Sequence, residues 1–432
     1  MVHDHPEVKA PVSETPLPDA SEQVSETSLP DASEKVSEAP LPDASEQVSK
    51  DPLVTPKAQL LRSWLTFAVF VLLLGGLMVV NLLTPNPEIL INERRPPAVL
   101  PHLDLDAVIS TRFMNGFEDY AADNFIFREY LRTVRAVTVF DIFRLGDKDG
   151  LYRNAVGAGK IEPINEEAAR AWATVMEQLH SDLAAQATGL SFYYAIIPDK
   201  SLYSERPLPG FDPTVIAALL EGRLNGVTAI DLTNALRASD YYKTDLHWDQ
   251  AELGQREGDV LDVLAKGLGC QGRLVRSFTT YDAGEFTGVF PGQLALPMQP
   301  DRLRYLSNSI LDGVVVYYLD PRIGGYIQGP VYDLEAGAGR DGYDLFLRGA
   351  QPVIVLENPA ATTDKELYIF RDSYTSSLAP LLASAYARIT LIDLRYIDYR
   401  ILSEYVTFEA NSDVLFLYGS QILNNPTILL IK

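Results

Sequence analysis

The sequence has few residues that could cross-link a fold. Its 432 residues include one cysteine, Cys270, so an internal disulfide is impossible and the folded part must rest on packing. There is no Cys-x-x-Cys pair or Cys/His cluster, which excludes the usual structural zinc sites. We interpret Cys270 as a buried structural residue and expect neither a metal nor a cofactor.

Basic residues are also scarce. The chain has 36 Lys and Arg against 58 Asp and Glu, a formal net charge of -22. Binding of nucleic acid needs clustered positive charge to neutralise phosphates, so a nucleic-acid partner is disfavoured. Hydrophobic residues make up 47% of the chain, which is enough for at least one large core.

Aromatic residues are absent from the first part of the chain, where the first one is Trp64. Residues 13–24, 25–36 and 37–48 are three copies of a twelve-residue unit rich in Pro, Ser and Glu. Such a unit is too short for a solenoid repeat and too polar to build a core. Residues 1–57 are therefore predicted to be a disordered, acidic tail.

A long uncharged segment follows the tail. Residues 64–83 contain no charge over 20 positions, which as a helix matches a hydrocarbon core of about 30 Å. We predict a transmembrane helix that contacts the lipid bilayer. Lys57 and Arg62 precede it closely, whereas Arg94 and Arg95 follow at a greater distance, which favours a cytoplasmic N-terminus and an extracytoplasmic main domain.

The remainder is predicted to be a Pro-rich linker, residues 84–101, and one α/β domain, residues 102–432. Short apolar runs are predicted as buried strands of a parallel sheet: residues 190–197, 227–231, 353–356, 367–370, 389–393 and 414–417. Helices are predicted at residues 113–143, 165–188, 213–220 and 248–268. The apolar side of residues 113–143 is expected to pack onto the main domain. This pattern favours a three-layer α/β/α fold with ligands at the carboxyl ends of the strands.

The chain has five histidines, and most are poorly placed for catalysis. His3 and His5 lie in the tail and His102 lies beside the linker. His180 falls on the edge of an apolar helical stripe, where a structural role is favoured. His247 is therefore the strongest candidate for a general base.

The residues around His247 allow several interpretations. In an extended segment, Asp245, His247 and Asp249 would share one face, because side chains alternate along a strand. Asp245 could then orient His247 as a base for a nucleophile elsewhere. All three could instead bind a metal, but no further ligands are distinctly placed. A polar cluster at the end of a strand is the third interpretation.

A serine stands at a predicted junction between a strand and a helix. The apolar run at residues 367–370 leads into Asp372 and Ser373, and small polar residues and a leucine-rich stretch follow. A serine at such a turn can expose its hydroxyl at the sheet edge, with helix N–H groups facing an oxyanion. Ser373 could equally cap the helix that follows.

The two blocks together resemble a known family. Residues 244–248 (TDLHW) resemble the Thr-Asp-His-His-Trp signature of the DHHW proteins, and residues 369–382 (IFRDSYTSSLAPLL) resemble their later GDSF-type serine block. These proteins are similar in turn to the SGNH-hydrolase-like domains of the alginate O-acetylation proteins AlgX and AlgJ. Shorter matches in the same order lie at residues 122–128, 197–200, 286–288, 343, 346–349 and 392–396. The resemblance spans roughly residues 90–420.

The resemblance implies an SGNH-hydrolase-like domain with Ser373 as nucleophile, His247 as general base and Asp245 as its orienting carboxylate. It further implies acyl transfer through an acetyl-serine, with an acetylated glycan or an acceptor polysaccharide of the cell surface as partner. A membrane-bound acetyl-transporting protein is a second expected partner. The Ser373 amide is the natural first oxyanion donor, and a loop near Gly349 could supply another.

Two positions depart from the family pattern. Leu246 replaces the first histidine of the signature, and Arg371 stands where the family usually has glycine. These departures motivate an alternative hypothesis, in which the chain is a glycan-binding or assembly factor that keeps the fold without the chemistry.

Overall fold

The computed structural model describes residues 56–204, 208 and 212–425. The predicted tail, with its three repeats, lies outside the described residues except for its last two positions. The chain divides into two units, with the boundary between Leu73 and Leu74. The first described element is helix α1, Pro56–Leu83.

Helix α1 contains the predicted membrane span. Gln59–Leu83 has a mean hydropathy of 2.4 in its most apolar window, none of which is buried. Among the described residues it alone is long and apolar enough to cross a membrane. The predicted span at residues 64–83 falls within it.

The second unit consists of short helices and strands in alternation. The further α-helices of the described residues are α2 Leu105–Ile109, α3 Arg112–Asp123, α4 Arg128–Val137, α5 Glu166–Gln186, α6 Pro213–Leu220, α7 Gln250–Leu253, α8 Val260–Gly267, α9 Phe290–Leu294, α10 Leu334–Gly337, α11 Thr375–Leu382 and α12 Ser420–Leu423. The strands are β1 Asp147–Lys148, β2 Leu151–Asn154, β3 Gly157–Lys160, β4 Ser191–Ile197, β5 Val227–Ala229, β6 Thr279–Phe286, β7 Asp301–Ser307, β8 Val315–Asp320, β9 Gly325–Gly329, β10 Val353–Glu357, β11 Glu366–Arg371, β12 Arg388–Ile392 and β13 Asp413–Gly419.

Eight strands form the central sheet in the order β5-β4-β13-β11-β12-β10-β8-β9. The first five are parallel to one another, whereas β10 is antiparallel to both β12 and β8, and β8 is antiparallel to β9. The sheet is thus mainly parallel, but the assignment of residues 353–356 to a parallel strand is wrong. An apolar run has the same composition in either orientation, so the sequence did not distinguish them. Strands β1–β3 and β6–β7 form two small separate sheets.

Both faces of the central sheet are covered. On β11, Leu367 and Ile369 belong to one hydrophobic cluster, which contains residues of α8 and α11. Tyr368 and Phe370 belong to a second cluster, which contains residues of α5 and α6. Because neighbouring strand residues point to opposite faces, helices pack on both sides of the sheet. The predicted α/β class and the large, mainly parallel sheet are confirmed.

The helix predictions hold in outline and fail at internal breaks. Asn165 caps α5 as predicted, accepting a hydrogen bond from the Ala168 amide at 3.1 Å. The predicted helix at residues 113–143 is divided into α3 and α4, since the Asn124 side-chain amide donates to Tyr120 O at 2.9 Å and closes the helix end. The helix predicted at residues 248–268 is likewise divided into α7 and α8.

The orientation of α3 and α4 also differs from the prediction. Of the aromatic residues expected to pack onto the domain, Phe117, Phe127 and Tyr130 are exposed, whereas Tyr120 and Phe125 are half-buried. The end of α4 packs onto the domain through Ala136, and the rest of its contacts are made by polar side chains, as described below.

Candidate active site

The segment that carries His247 is a tight loop. Tyr241 and Trp248 pair across its base as an antiparallel bridge, and the Tyr242 amide donates to His247 O at 3.0 Å. The loop between them turns the Asp245 and His247 side chains toward each other. The extended conformation expected for this segment is therefore replaced by a turn.

A buried lysine holds this loop from inside. Lys200 Nζ donates to the carbonyl oxygens of Asp245 at 2.7 Å, Tyr242 at 2.9 Å and Lys243 at 3.4 Å. Burial lowers the pKa of Lys200 to about 8, although the nearby carboxylates, Asp199 first among them, favour the ammonium. The three carbonyls point at one cation, so the backbone course of the loop depends on Lys200.

Two further segments fix the loop from outside. The Asp301 carboxylate, at the start of β7, accepts hydrogen bonds from the Thr244 amide at 2.8 Å and from its hydroxyl at 2.6 Å. The Gly288 amide donates to Thr244 Oγ1 at 2.9 Å, and the Val289 amide donates to Asp245 Oδ2 at 3.1 Å. Asp245 Oδ1 in turn accepts from the His247 amide at 3.1 Å, so both carboxylate oxygens have hydrogen-bond donors.

Ser373 lies in the turn between β11 and α11, as predicted. The preceding Asp372 braces this turn, accepting from the Tyr374 amide at 3.1 Å and from the Gly419 amide at 2.5 Å. The N-cap position of α11 is occupied by Tyr374, without a side-chain cap. The alternative in which Ser373 caps the helix is therefore wrong, and its half-buried hydroxyl is directed elsewhere.

Hydrogen bonds join the serine turn to the histidine loop. Trp248 Nε1 donates to Ser377 Oγ at 2.8 Å and to Tyr374 O at 3.1 Å. In the other direction, the Tyr374 hydroxyl donates to Leu246 O at 2.7 Å. His247 and Ser373 are 126 residues apart in the sequence, and these hydrogen bonds hold their two segments together.

The structure brings Asp245, His247 and Ser373 together in a continuous relay. Ser373 Oγ lies 2.7 Å from His247 Nε2, and His247 Nδ1 lies 2.6 Å from Asp245 Oδ1. The His247 ring also stacks on Tyr343, with ring centroids 3.8 Å apart. With the Nδ1 proton donated to Asp245, Nε2 is the acceptor for the serine hydroxyl. This is the arrangement that general-base activation of a serine requires.

The electrostatics of Asp245 support this tautomer. Burial raises its pKa, but the charge of His247 and hydrogen bonds from His247 and Val289 outweigh burial and lower it to about 2. Asp245 is therefore ionised near neutral pH and can stabilise an imidazolium. Asp344 differs, because burial and then the charge of Asp341 raise its pKa to about 6.

Arg371, one of the two departures from the family pattern, is directed into the protein interior. Its side chain is 1% exposed, and it donates to Ser376 Oγ at 2.8 Å and to Gln351 O at 3.4 Å. Its Nε lies 3.9 Å from Asp393 Oδ2. Arg371 thus braces the base of the serine turn, and its contacts do not include Ser373 Oγ.

The amide of Gly349, which was expected to supply an oxyanion donor, is engaged in a hydrogen bond within its own turn. It donates to Phe346 O at 3.2 Å, so the Gly349 N–H is already bonded. The residue has φ +67°, and a Cβ there would overlap the Asp344 carboxylate. Leu347 and Arg348 are also left-handed, at φ +53° and +56°. Gly349 therefore shapes a strained turn and does not offer a free donor.

Asp249 does not join the other two residues of its predicted cluster. It accepts from the Ala251 amide at 3.0 Å as the cap of α7, and it also pairs with Arg304. Within the described ranges, no group of three His, Cys, Asp or Glu side chains could hold a metal ion. The interpretation that Asp245, His247 and Asp249 bind a metal together is thus contradicted by the geometry of Asp249.

The fold is similar to that of a DHHW family protein from Eubacterium siraeum. The two chains are 17% identical, the match covers 65% of this chain and 93% of the other, and the TM-score is 0.51. PatB1 from Bacillus cereus matches with 19% identity, 65% and 96% coverage and a TM-score of 0.49. The O-acetyltransferase domain of AlgJ from Pseudomonas putida matches with 12% identity, 64% and 92% coverage and a TM-score of 0.38.

No family model matches the sequence, and no curated protein matches it either. The similarity to the solved DHHW family structure confirms the resemblance to the DHHW proteins as a shared fold.

The contacts that several residues make with the reactive segments were not predicted from the sequence. Lys200, Gly288 and Tyr343 lie in the short blocks shared with the family, which was a usable signal. Asp301 lies in none of them, and nothing in the sequence near it indicates its contact with Thr244.

The close approach of Gly288 to Asp245 gives a testable prediction. A Cβ at Gly288 would overlap Asp245 Cβ and Thr244 O. We expect Gly288→Ala to lower the free energy of unfolding by about 1–3 kcal/mol, as for other overpacked sites, and to displace Asp245. Urea titration of the full chain in detergent measures the first effect. Gly272→Ala is the matched control, since nothing lies within 4 Å of its added Cβ. Equal stability of the two variants would contradict the prediction.

Proposed function

We propose that this chain is a membrane-anchored, extracytoplasmic serine enzyme that transfers or hydrolyses acetyl groups on a cell-surface polysaccharide. The observation that carries the proposal is the relay from Asp245 through His247 to Ser373, with distances of 2.6 and 2.7 Å. A buried carboxylate, an imidazole and a serine in this order have few structural uses that would need both hydrogen bonds.

The chemistry has two steps. Ser373 Oγ attacks the carbonyl carbon of an acetyl ester while its proton moves to His247 Nε2, and the imidazolium is stabilised by Asp245. The tetrahedral intermediate then collapses, the bond to the donor alkoxide breaks, and the alkoxide takes the proton from His247. A water molecule or a sugar hydroxyl, deprotonated by His247, then attacks the carbonyl carbon of the acetyl-serine. The bond to Ser373 Oγ breaks, Oγ takes the proton back from His247, and acetate or an acetylated sugar is released.

The oxyanion of both steps needs donors near Ser373. The amide of Ser373, at the turn before α11, is the proposed first donor. Since the Gly349 amide is bonded to Phe346 O, a second donor must come from another group or from a rearranged turn at residues 347–349.

Substrate and location follow from the sequence resemblance together with helix α1. The resemblance supports a polysaccharide as acetyl acceptor or donor and a membrane-bound acetyl-transporting partner. The span at Gln59–Leu83 supports a single-pass anchor, with residues 1–57 in the cytoplasm and the catalytic domain, residues 102–432, outside.

Covalent trapping of the serine tests the proposal. The full chain in detergent is treated with an aryl sulfonyl fluoride, and the modified peptide is located by fragmentation mass spectrometry. We expect the adduct on Ser373 alone, although Ser376 and Ser377 lie on the same peptide, because only Ser373 contacts His247. Hydrolysis of a chromogenic acetyl ester should be lost in proportion to the adduct formed.

Ser373→Ala is the control for specificity, and it should leave the peptide unmodified. Modification of Ser376 or Ser377 at the same rate, or no adduct with any acyl or sulfonyl donor, would contradict a reactive Ser373. Glycan binding that survives in such an inert protein would support the alternative of a non-catalytic binding or assembly factor.

A further inference from the structure

In helix α4, arginine side chains face the protein and apolar side chains face outward, which is the reverse of an ordinary surface helix. Arg128 and Arg132 face the protein, whereas Tyr130, Leu131 and Val134 are 69%, 49% and 44% exposed. A helix on the surface of a water-soluble domain normally buries its apolar stripe and exposes its charges. The reversal indicates that the apolar stripe faces something other than water.

Both arginines on the inward face have partners in the domain. Arg128 pairs with Glu93 at 2.5 Å and with Asp123 at 3.1 Å. Arg132 donates to the carbonyl oxygens of Gly292 at 3.0 Å and Gln293 at 2.8 Å. These contacts fix the rotation of α4 about its axis, so the outward direction of the apolar stripe is built into the fold.

The exposed stripe is continuous over the length of the helix. Its members recur three or four residues apart, as one face of a helix requires, and are Phe127, Tyr130, Leu131, Val134 and Val137. Helices α2 and α3, which precede α4 in the chain, carry further exposed apolar side chains, which are Leu105, Val108, Ile109, Met114 and Phe117. A contiguous apolar stripe such as that of α4 marks an interaction site.

The position of the stripe next to the end of α1 identifies its partner. The Ile126 amide, one residue before the stripe, donates to Asn81 Oδ1 at 2.9 Å. Asn81 is two residues from the end of the apolar helix at Leu83, which at 1.5 Å per residue is about 3 Å along its axis. If α1 spans a bilayer, the start of α4 lies at the boundary between membrane and water.

We propose that α4 lies on the outer surface of the bilayer, with the stripe from Phe127 to Val137 inserted among the lipid headgroups and upper acyl chains. A helix with one charged face and one face of aromatic and aliphatic residues is suited to this interface. Tyr130 suits the boundary in particular, since its ring is apolar and its hydroxyl reaches water. The proposal rests on the membrane span of the proposed function and is independent of its chemistry.

This position would bring a cavity behind the Asp245 loop close to the membrane. Tyr130 and Thr133 line a cavity of about 680 Å³ together with Gly288, whose backbone packs against Asp245.

Spin labels in single-cysteine variants test the proposal. Leu131→Cys and Val134→Cys are labelled with a nitroxide in the full chain, reconstituted into vesicles of phosphatidylethanolamine and phosphatidylglycerol. Cys270 is buried, and the wild-type chain measures any background labelling. Collision rates with oxygen, which concentrates in lipid, and with a water-soluble nickel complex are measured by power saturation.

We expect labels at residues 131 and 134 to collide several-fold less with the nickel complex than a label at Ile323→Cys, and more with oxygen. Ile323 is the matched control, an aliphatic residue 64% exposed on the β8–β9 hairpin. Nickel collisions equal to those at residue 323 would place the stripe in water and overturn the proposal. Low collisions with both probes would indicate cover by protein, from a second copy or another partner, and would also overturn it.

A label at Leu72→Cys in α1 separates this proposal from the anchor. A lipid-exposed label at residue 72 with water-exposed labels at 131 and 134 refutes the surface contact alone. A water-exposed label at residue 72 refutes the span, and the surface proposal with it. Trapping of Ser373 is unaffected by either outcome.

Discussion

His247→Ala is expected to lower kcat/KM for a chromogenic acetyl ester by about 10³-fold, which corresponds to about 4 kcal/mol of transition-state stabilisation. The Ser373 hydroxyl is a weak nucleophile at its free pKa, and it needs a base to take its proton during attack. His247 Nε2 lies 2.7 Å from Ser373 Oγ, so the His247 imidazole is in position to take this proton. Initial-rate kinetics of the full chain in detergent measure the loss.

His180→Ala is the matched control. His180 lies half-buried on α5 and packs edge-on against Phe192, a core residue on one face of the sheet, with ring centroids 4.5 Å apart. Its replacement should change stability slightly and leave kcat/KM close to the wild-type value. An equal loss of activity in both variants would show a general effect of losing a histidine and would contradict the assignment of His247 as the general base.

The double variant Ser373→Ala/His247→Ala makes the test sharper. Residues that act in one relay are not additive, so the double variant should be no less active than Ser373→Ala alone. Multiplicative losses would show that His247 supports the reaction by a route that does not pass through Ser373.

The parts of this protein that sequence predicts well depend on local patterns. The period of apolar residues located α5, and the side chain of Asn165 marked its start. Asp245, His247 and Ser373 could be proposed because each lies in a short block with a recognisable order along the chain. Their meeting in space follows from a parallel sheet, in which loops at the carboxyl ends of strands collect at one edge.

The parts that sequence predicts poorly depend on contacts between distant segments. Lys200 is 45 residues from Asp245 and Asp301 is 57 residues from Thr244, and neither has a local signal for its partner. The antiparallel pairing of β10 is decided by its neighbours β8 and β12. The burial of α4 was inverted for a related reason, because periodicity shows that two faces differ and not which face meets the domain.

Lys200→Met is expected to have the largest effect on stability, a loss of about 3 kcal/mol in the free energy of unfolding. The substitution keeps most of the side-chain volume but leaves the carbonyls of Tyr242 and Asp245 without their donor in a buried site. Each unpaired buried polar group costs about 1–3 kcal/mol, and relief of the buried charge offsets part of that sum. Urea titration compares the variant with wild type, and Lys266→Met, an exposed lysine of α8, is the control.

The dependence of this loss on pH identifies its cause. Burial lowers the pKa of Lys200 to about 8, whereas an unfolded lysine has a pKa of about 10.4. Between these values the unfolded chain binds more protons than the folded chain, so the contribution of Lys200 to the free energy of unfolding rises with pH. Below about pH 8 both states are charged and the contribution is constant. The stability of wild type minus that of Lys200→Met should therefore increase from pH 8 to pH 10, while the same difference for Lys266→Met stays flat. A flat difference for Lys200→Met would mean that the lysine keeps its proton through this range and that its three carbonyl contacts outweigh the cost of burying the charge.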